Sequence, residues 1–301
     1  MPRQFPLDDW IAYASGLPYF KRRLEITTRI VPAQTRYLYK FLAINPDSAV
    51  SIQRTRDILV RSRLWLSSPL EFNDPFDMSA QMVVRGKEKK LRARIEGIAE
   101  SQGLARKARK EYANAVAKLP RKRLEKDLTT VYEKNLKAIG VFCFAGDPRS
   151  ILMWSHYASN HKGICIQFER ARDYTALSGA LGVDYSNDFP VVDWVTSFQK
   201  SLNQVLLRKS YHWQYEREQR MIKPDQARQY LKFRPEAVTS IIYGCRVTDV
   251  VQATVKELLD ERRKQGHPQI KEYISSKHSS KYALVYIAKS TANIYETPCY
   301  Q

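Results

Sequence analysis

The segment Trp213-Gln214-Tyr215-Glu216-Arg217-Glu218-Gln219-Arg220 contains the only Glu-x-Glu in the chain. If the segment is extended, alternation puts Glu216, Glu218 and Arg220 on one face and Trp213 and Tyr215 on the other. Two carboxylates beside a guanidinium suit a ribose, and a carboxylate on a ribose hydroxyl stabilises a developing oxocarbenium ion. If the segment is helical, Glu216 and Arg220 form only an i,i+4 ion pair worth a few tenths of a kcal/mol. A second group lies in Met153-Trp154-Ser155-His156-Tyr157-Ala158-Ser159-Asn160-His161-Lys162-Gly163. His156 is a hydrogen-bonding or acid–base candidate there, with a satisfied buried histidine as the plain alternative. Its five-residue spacing from His161 departs from the i,i+4 pair of a helical zinc site, and no metal is expected. Gly163 reads as a tight helix-to-strand turn. The third group is Phe72-Asn73-Asp74-Pro75-Phe76-Asp77, a turn-forming loop whose Asp74 or Asp77 could share a divalent cation with Glu216 or Glu218.

The elements that must hold these residues alternate irregularly. Tyr37–Phe41 reads as an aromatic strand. A helix capped by Asp47 or Ser48 runs to about Ser62, and Leu64–Ser67 is a short strand. Val141–Phe144 is a strand, Ile151–Tyr157 a helix and Gly163–Phe168 a nearly continuous apolar strand. A helix is expected over 196–209, a strand at Ser240–Gly244 and a helix over 248–265 capped by Thr248 and stopped by Gly266. Strands around Lys271–Ile274 and Tyr282–Ala288 close the chain. The pattern predicts an α+β fold with a mixed, mostly antiparallel sheet and flanking helices. Residues 1–36 read as an N-terminal helical extension, and 37–301 as a single domain interrupted by a basic helical insertion at 85–138.

That insertion dominates the charge. The chain has 301 residues, with 50 Lys and Arg against 31 Asp and Glu, a net charge of +19. Residues 85–126 alone hold 15 Lys or Arg and 5 Asp or Glu, more than half of the excess. The stretch reads as one or two helices broken near Ser101-Gln102-Gly103 and at Pro120. A solvated charged hairpin would be rich in both signs; the one-sided balance here suits a polyanion, nucleic acid first. The four cysteines, Cys143, Cys165, Cys245 and Cys299, contain no C-x-x-C and suit a reduced, cytoplasmic chain. No secretory signal and no apolar run of membrane-spanning length is visible, so no membrane partner is expected. Neither G-x-G-x-x-G nor G-K-[ST] occurs, which argues against a Rossmann oxidoreductase or a P-loop NTPase.

At the three chemical segments the sequence resembles a widespread bacterial family known only as a domain of unknown function. The resemblance rests on Leu38-Tyr39-Lys40-Phe41, on Ser68-Pro69 with Phe72-Asn73-Asp74-Pro75-Phe76, on Met153-Trp154-Ser155-His156-Tyr157-Ala158 and on His161-Lys162-Gly163. It continues at Trp213-x-Tyr215-Glu216-x-Glu218-x-Arg220 and Ile242-Tyr243-Gly244. It spans roughly 37–290 outside the insertion and implies a setting in phage-defence or toxin loci, with an antitoxin or locus partner.

A more distant likeness is to ADP-ribosyltransferases, in the order Tyr39-Lys40, helix 48–62, Ser67-Ser68, Glu216-x-Glu218. It implies an NAD-using transferase, for which the basic insertion makes nucleic acid or a nucleic-acid-associated molecule the expected target. Glu218 would take the nicotinamide ribose, Glu216 would orient the acceptor, and His156 would be a third catalytic group. Tyr39, Lys40, Ser67, Ser68, Asn73, Trp154, Tyr157 and Arg220 would form the NAD site. Lys40 stands where that superfamily has His or Arg. The alternative from another class is a non-catalytic nucleic-acid-binding or sensing module. A metal nuclease built on Asp74, Asp77, Glu216 and Glu218 is a third.

Overall fold

The computed structural model describes residues 35–195 and 204–289, together with Pro18. The expected N-terminal extension lies almost wholly outside the described residues, as does most of the helix expected over 196–209.

In chain order the first elements are β1 (Tyr37–Leu42), α1 (Ala49–Leu59), β2 (Arg63–Leu66) and β3 (Gln81–Val83). Ser48 caps α1, its hydroxyl accepting from the Ser51 amide at 3.3 Å. The insertion then forms three helices rather than one or two: α2 (Glu88–Ser101), α3 (Arg106–Ala117) and α4 (Arg121–Leu136). They break where Gly103 takes φ +81 and where Pro120 precedes α4. Next come β4 (Gly140–Ala145), α5 (Ile151–Tyr157), β5 (Ile164–Glu169) and the single turn α6 (Tyr174–Leu177). Four short strands follow, β6 (Ala180–Gly182), β7 (Asp184–Ser186), β8 (Val191–Asp193) and β9 (Arg208–Ser210). Thus the end of the expected 196–209 helix is a strand. The chain continues as β10 (Glu218–Lys223), β11 (Gln229–Lys232), β12 (Val238–Tyr243), α7 (Asp249–Lys264), β13 (Lys271–Lys277) and β14 (Leu284–Ala288).

Eight strands make one sheet in the order β14-β13-β12-β5-β1-β4-β10-β6. Every neighbouring pair is antiparallel except β12 with β13, which α7 joins as a crossover. The fold is α+β with a mostly antiparallel sheet. One sheet face buries Leu38, Phe142, Phe144, Ile166, Phe168 and Met221 against Ile58 and Leu59 of α1 and Val255 and Leu258 of α7. The opposite face carries two separate apolar patches. In one, Tyr39, Phe41 and Ile242 pack on Met153 and Trp154 of α5. In the other, Val141 meets Met78, Met82, Tyr132, Val192 and Leu206, joined by the partly buried Cys143 and Ile222.

Register fixes what lies at the seam of those patches. Glu218 pairs with Ala145 of the first, Ile222 with Val141 of the second, and Arg220 sits between them opposite Cys143. The insertion has a small core of its own, in which Leu91, Ile95, Ala113, Ala117 and Leu124 gather with Val84.

Candidate functional site

The seam is ionic. Arg220, fully buried, donates through Nε to Glu218 Oε1 at 2.9 Å and through Nη2 to Glu218 Oε2 at 3.1 Å. Its Nη2 also reaches Asp77 Oδ2 at 2.9 Å, and Nη1 the Leu206 carbonyl at 2.9 Å. Lys209, from β9, donates to Glu216 Oε2 at 2.6 Å and Glu218 Oε2 at 3.1 Å, and lies 3.7 Å from Asp77 Oδ2. The Tyr157 hydroxyl donates to Glu216 Oε1 at 2.6 Å, and the Glu218 amide donates to the Tyr185 hydroxyl at 2.8 Å. Glu-x-Glu is therefore neither wholly extended nor helical. Tyr211–Glu216 is a 3-10 turn, Arg217 takes φ +44, and the strand begins at Glu218. The Arg217 carbonyl accepts from the Gly146 amide at 2.8 Å, and a Cβ on Gly146 would come within 2.8 Å of that same oxygen. This close approach of β4 to the turn starts β10 with Glu218 and Arg220 facing the seam.

Burial and charge oppose each other here. Burial pushes the Glu218 carboxyl up, but Arg220 and then Lys209 outweigh it and hold it at about 2. Glu216 lacks the guanidinium. Burial and the Glu218 charge raise it against the pull of Lys209. Burial raises Asp77 in the same way despite Arg220. Lys209 is raised because its neighbouring carboxylates, Glu218 and Glu216 foremost, overcome its own desolvation. Three carboxylates face two cations, and the two without the bidentate guanidinium, Glu216 and Asp77, are the ones raised. Among the described residues no cluster of His, Cys, Asp and Glu is arranged to hold a metal ion. The Lys209 ammonium fills the space between the carboxylates.

A cleft of about 640 Å³ opens above Lys209. Its walls come from the 74–79 loop, the 186–190 loop, β9 and the turn before β10, with Phe76, Phe189, Trp213, Tyr215 and His212 among the lining side chains. Phe76 is 64% exposed and Phe189 50%, so the rings face solvent rather than core. The Lys209 ammonium lies 5.0 Å from the Trp213 ring centre. The cleft is joined to the insertion: β3 runs on from the first loop and β8 from the second, the two strands pair in parallel, and the Arg85 amide donates to Asp193 Oδ1 at 3.3 Å. The three-residue strands β3 and β8 lie in the chain between the cleft loops and the insertion, with residues 84–87 leading from β3 into α2.

The structure unites some of the expected residues and disperses others. Asp77, Tyr157, Glu216, Glu218 and Arg220 meet, so all three chemical segments reach one place. His156 stands one step outside, exposed, its Nδ1 2.9 Å from the Tyr215 hydroxyl. Lys40 belongs to the opposite sheet face from Glu218, where its ammonium lies over Phe142 and donates to the Cys143 carbonyl at 3.0 Å. Tyr39 is buried in the α5 patch and accepts from Gln167 at 3.1 Å. Trp154, fully buried, donates to the Pro148 carbonyl at 2.7 Å and is a packing residue. Ser67 bridges Val141, whose partner Ile222 is four residues along β10 from Glu218. Ser68 hydrogen-bonds the Leu136 carbonyl at 3.4 Å, and Asn73 is exposed in its loop. These residues do not form one binding site. Asp74, expected as a cation ligand, caps its own turn by accepting from the Phe76 amide at 3.0 Å. Lys209 and Tyr185 were not legible as site residues, because each comes from a three-residue strand with no periodic signal.

The family described as "Protein of unknown function (DUF2971)" matches residues 153–221, which run from α5 to β10 and include Tyr157, Lys209, Glu216, Glu218 and Arg220. No curated protein and no solved structure matches the chain.

Proposed function

We propose that this chain binds nucleic acid, taking an unpaired base into the aromatic cleft and the phosphates onto the basic insertion. The observation that carries the reading is the joining of the two by the β3–β8 ribbon. Flat rings exposed in a cleft bind bases by stacking, and Ser79, Ser186 and Asn187 offer hydrogen-bonding groups to a base edge. Lys87, Lys89, Lys90, Lys107, Lys110, Lys118 and Lys122 are all exposed on the insertion. Of its arginines, Arg92, Arg109 and Arg123 are tied to Glu88, Glu100 and Asp127. The test is binding of a labelled oligonucleotide over a range of salt concentrations. Neutralising Lys87, Lys89 and Lys90 to Gln is expected to flatten the salt dependence by roughly 0.7–0.9 per lost phosphate contact. Replacing Phe76 and Phe189 by Ala is expected to weaken binding with the salt slope unchanged. Binding indifferent to salt and to these lysines would overturn the reading.

A second reading, an ADP-ribosyltransferase-like enzyme of bacterial conflict using NAD, is supported by the meeting of the three segments under the cleft. The residues present do not fit NAD in the way the likeness implies. Lys40 faces away, the serines are elsewhere, and Glu218 is clamped by Arg220 with only 3% of the residue exposed. No step is therefore derived through NAD. Glu216 is tied to the cleft through Lys209, which lines it. NAD consumption by the wild type, lost in both Glu216→Gln and Glu218→Gln with the fold retained, would establish this reading; no consumption with or without nucleic acid would exclude it.

A further inference from the structure

β2 and β11 form an antiparallel ribbon apart from the main sheet, pairing Trp65 with Tyr230 and Arg63 with Lys232. Leu64 and Leu66 point inward, both fully buried, and Leu231 packs on the same core. Alternation therefore puts Arg63, Trp65, Tyr230 and Lys232 together on the outward face. Trp65 and Tyr230 are each 42% exposed, with ring centres 4.9 Å apart at 64°. The Arg63 guanidinium covers the Tyr230 ring at 3.8 Å.

The face is held from beneath by one buried carboxylate. Asp57, 5% exposed, accepts from Arg63 Nε at 2.9 Å, Arg61 Nη1 at 3.1 Å and the Tyr230 hydroxyl at 3.0 Å. Two guanidiniums and a phenol are thus fixed before any ligand arrives, which lowers the ordering cost of binding. Arg61, Arg63 and Lys232 against Asp57 leave the face positive.

We infer that this ribbon face binds single-stranded nucleic acid, with unpaired bases stacking on Trp65 and on the Arg63 guanidinium that Tyr230 carries, and phosphates lying on Arg61 and Lys232. The inference rests on the nucleic-acid reading above and adds a second contact surface, built from residues outside the cleft. Stacking accepts any base, so the surface is indifferent to sequence but requires bases that are not already stacked in a duplex. An anionic membrane would use the same cations and the interfacial affinity of Trp and Tyr, so vesicle binding is the competing outcome of the test.

The experiment measures fluorescence anisotropy of a labelled deoxythymidine strand of about 20 nucleotides and of a duplex of equal length. Proteins compared are the wild type, a Trp65→Ala/Tyr230→Ala double variant, Trp65→Phe and Lys232→Glu. The double variant is expected to bind the single strand roughly tenfold more weakly, with duplex affinity and salt slope unchanged. Trp65→Phe should keep most of the affinity, and Lys232→Glu should weaken single-strand binding in a salt-dependent way. Wild-type binding that the double variant and Lys232→Glu both leave intact overturns this inference while the nucleic-acid reading stands. Failure of the wild type to bind any strand at low salt overturns both. Loss of binding to phosphatidylserine-containing vesicles, with strand binding untouched, assigns the face to a membrane and overturns it as well.

Discussion

Glu218 ties stability to pH through a single carboxyl. Its ordinary value is 4.5, and in the folded chain it is held at about 2. A carboxyl depressed on folding contributes stability that is complete above its unfolded value and is lost as pH falls through the folded one. The window is therefore about pH 4.5 down to 2. Glu218→Gln removes this contribution and leaves Arg220 buried without its bidentate partner, at a cost of about 3–5 kcal/mol at neutral pH. Urea denaturation from pH 7 to 2.5 should show the variant less stable at pH 7 and with a shallower acid decline than the wild type. Parallel curves would mean that Arg220 finds compensation elsewhere. The carboxylate pair was legible in the sequence because Glu-x-Glu is a local pattern. Its partner Lys209 was not, because that contact depends on a tertiary approach of β9 to β10. Lys40 followed only from an order of elements, and strand alternation turns it to the other sheet face from Glu218.

Glycines separate the elements by what each must avoid. Gly163 was expected at a tight helix-to-strand turn, and the positive φ values of that turn fall on Ser159, Asn160 and His161, at +51, +54 and +67. Gly163 is required by close approach: a Cβ there would lie 2.1 Å from the Leu42 carbonyl. Gly244 is alike, 2.1 Å from the His161 carbonyl, and its amide donates to the Gly163 carbonyl at 3.0 Å. Gly163→Ala forces the α5–β5 loop away from the end of β1, and Gly244→Ala forces the end of β12 away from that loop; each should cost about 2–3 kcal/mol. Gly97 is the opposite case, a helix-interior residue of α2 whose Cβ would meet nothing within 4 Å. Gly97→Ala should stabilise by about 0.5–1 kcal/mol. Thermal melts of the three variants check both signs, and a destabilised Gly97→Ala would show that the insertion packs more closely than its small core indicates. Long strands and helices were readable because apolar periodicity runs through them. The three-residue strands β6–β9 were not, and neither was the pairing of β2 with β11, whose partners lie far apart in the chain.

At the scale of the whole molecule, the proposed nucleic-acid binding and the folding of the chain should respond to salt in opposite directions. A net charge of +19, more than half of it within residues 85–126, repels itself across a short span of helices. Those helices rest on a cluster whose buried members, from Val84 to Leu124, are largely alanine, leucine and isoleucine, separate from the sheet core. Repulsion between exposed charges falls as the Debye length shrinks, from about 30 Å at 0.01 M to about 8 Å at 0.15 M salt. Adding salt over that range should raise the melting temperature of the free protein, with the largest gain in amide protection in α2–α4. The same salt should lower nucleic-acid affinity, because each phosphate contact returns a condensed counterion that costs more to release as salt rises. The Glu218–Arg220–Lys209 cluster, buried and internally paired, should show little of either effect. Hydrogen exchange at two salt concentrations, with and without an oligonucleotide, separates these parts. Protection that rises in α2–α4 with either salt or the oligonucleotide would identify the insertion as the unit where the molecule's excess charge is neutralised. Protection rising equally in the central strands of the sheet would show that the insertion and the sheet fold as one unit and that charge acts on the whole.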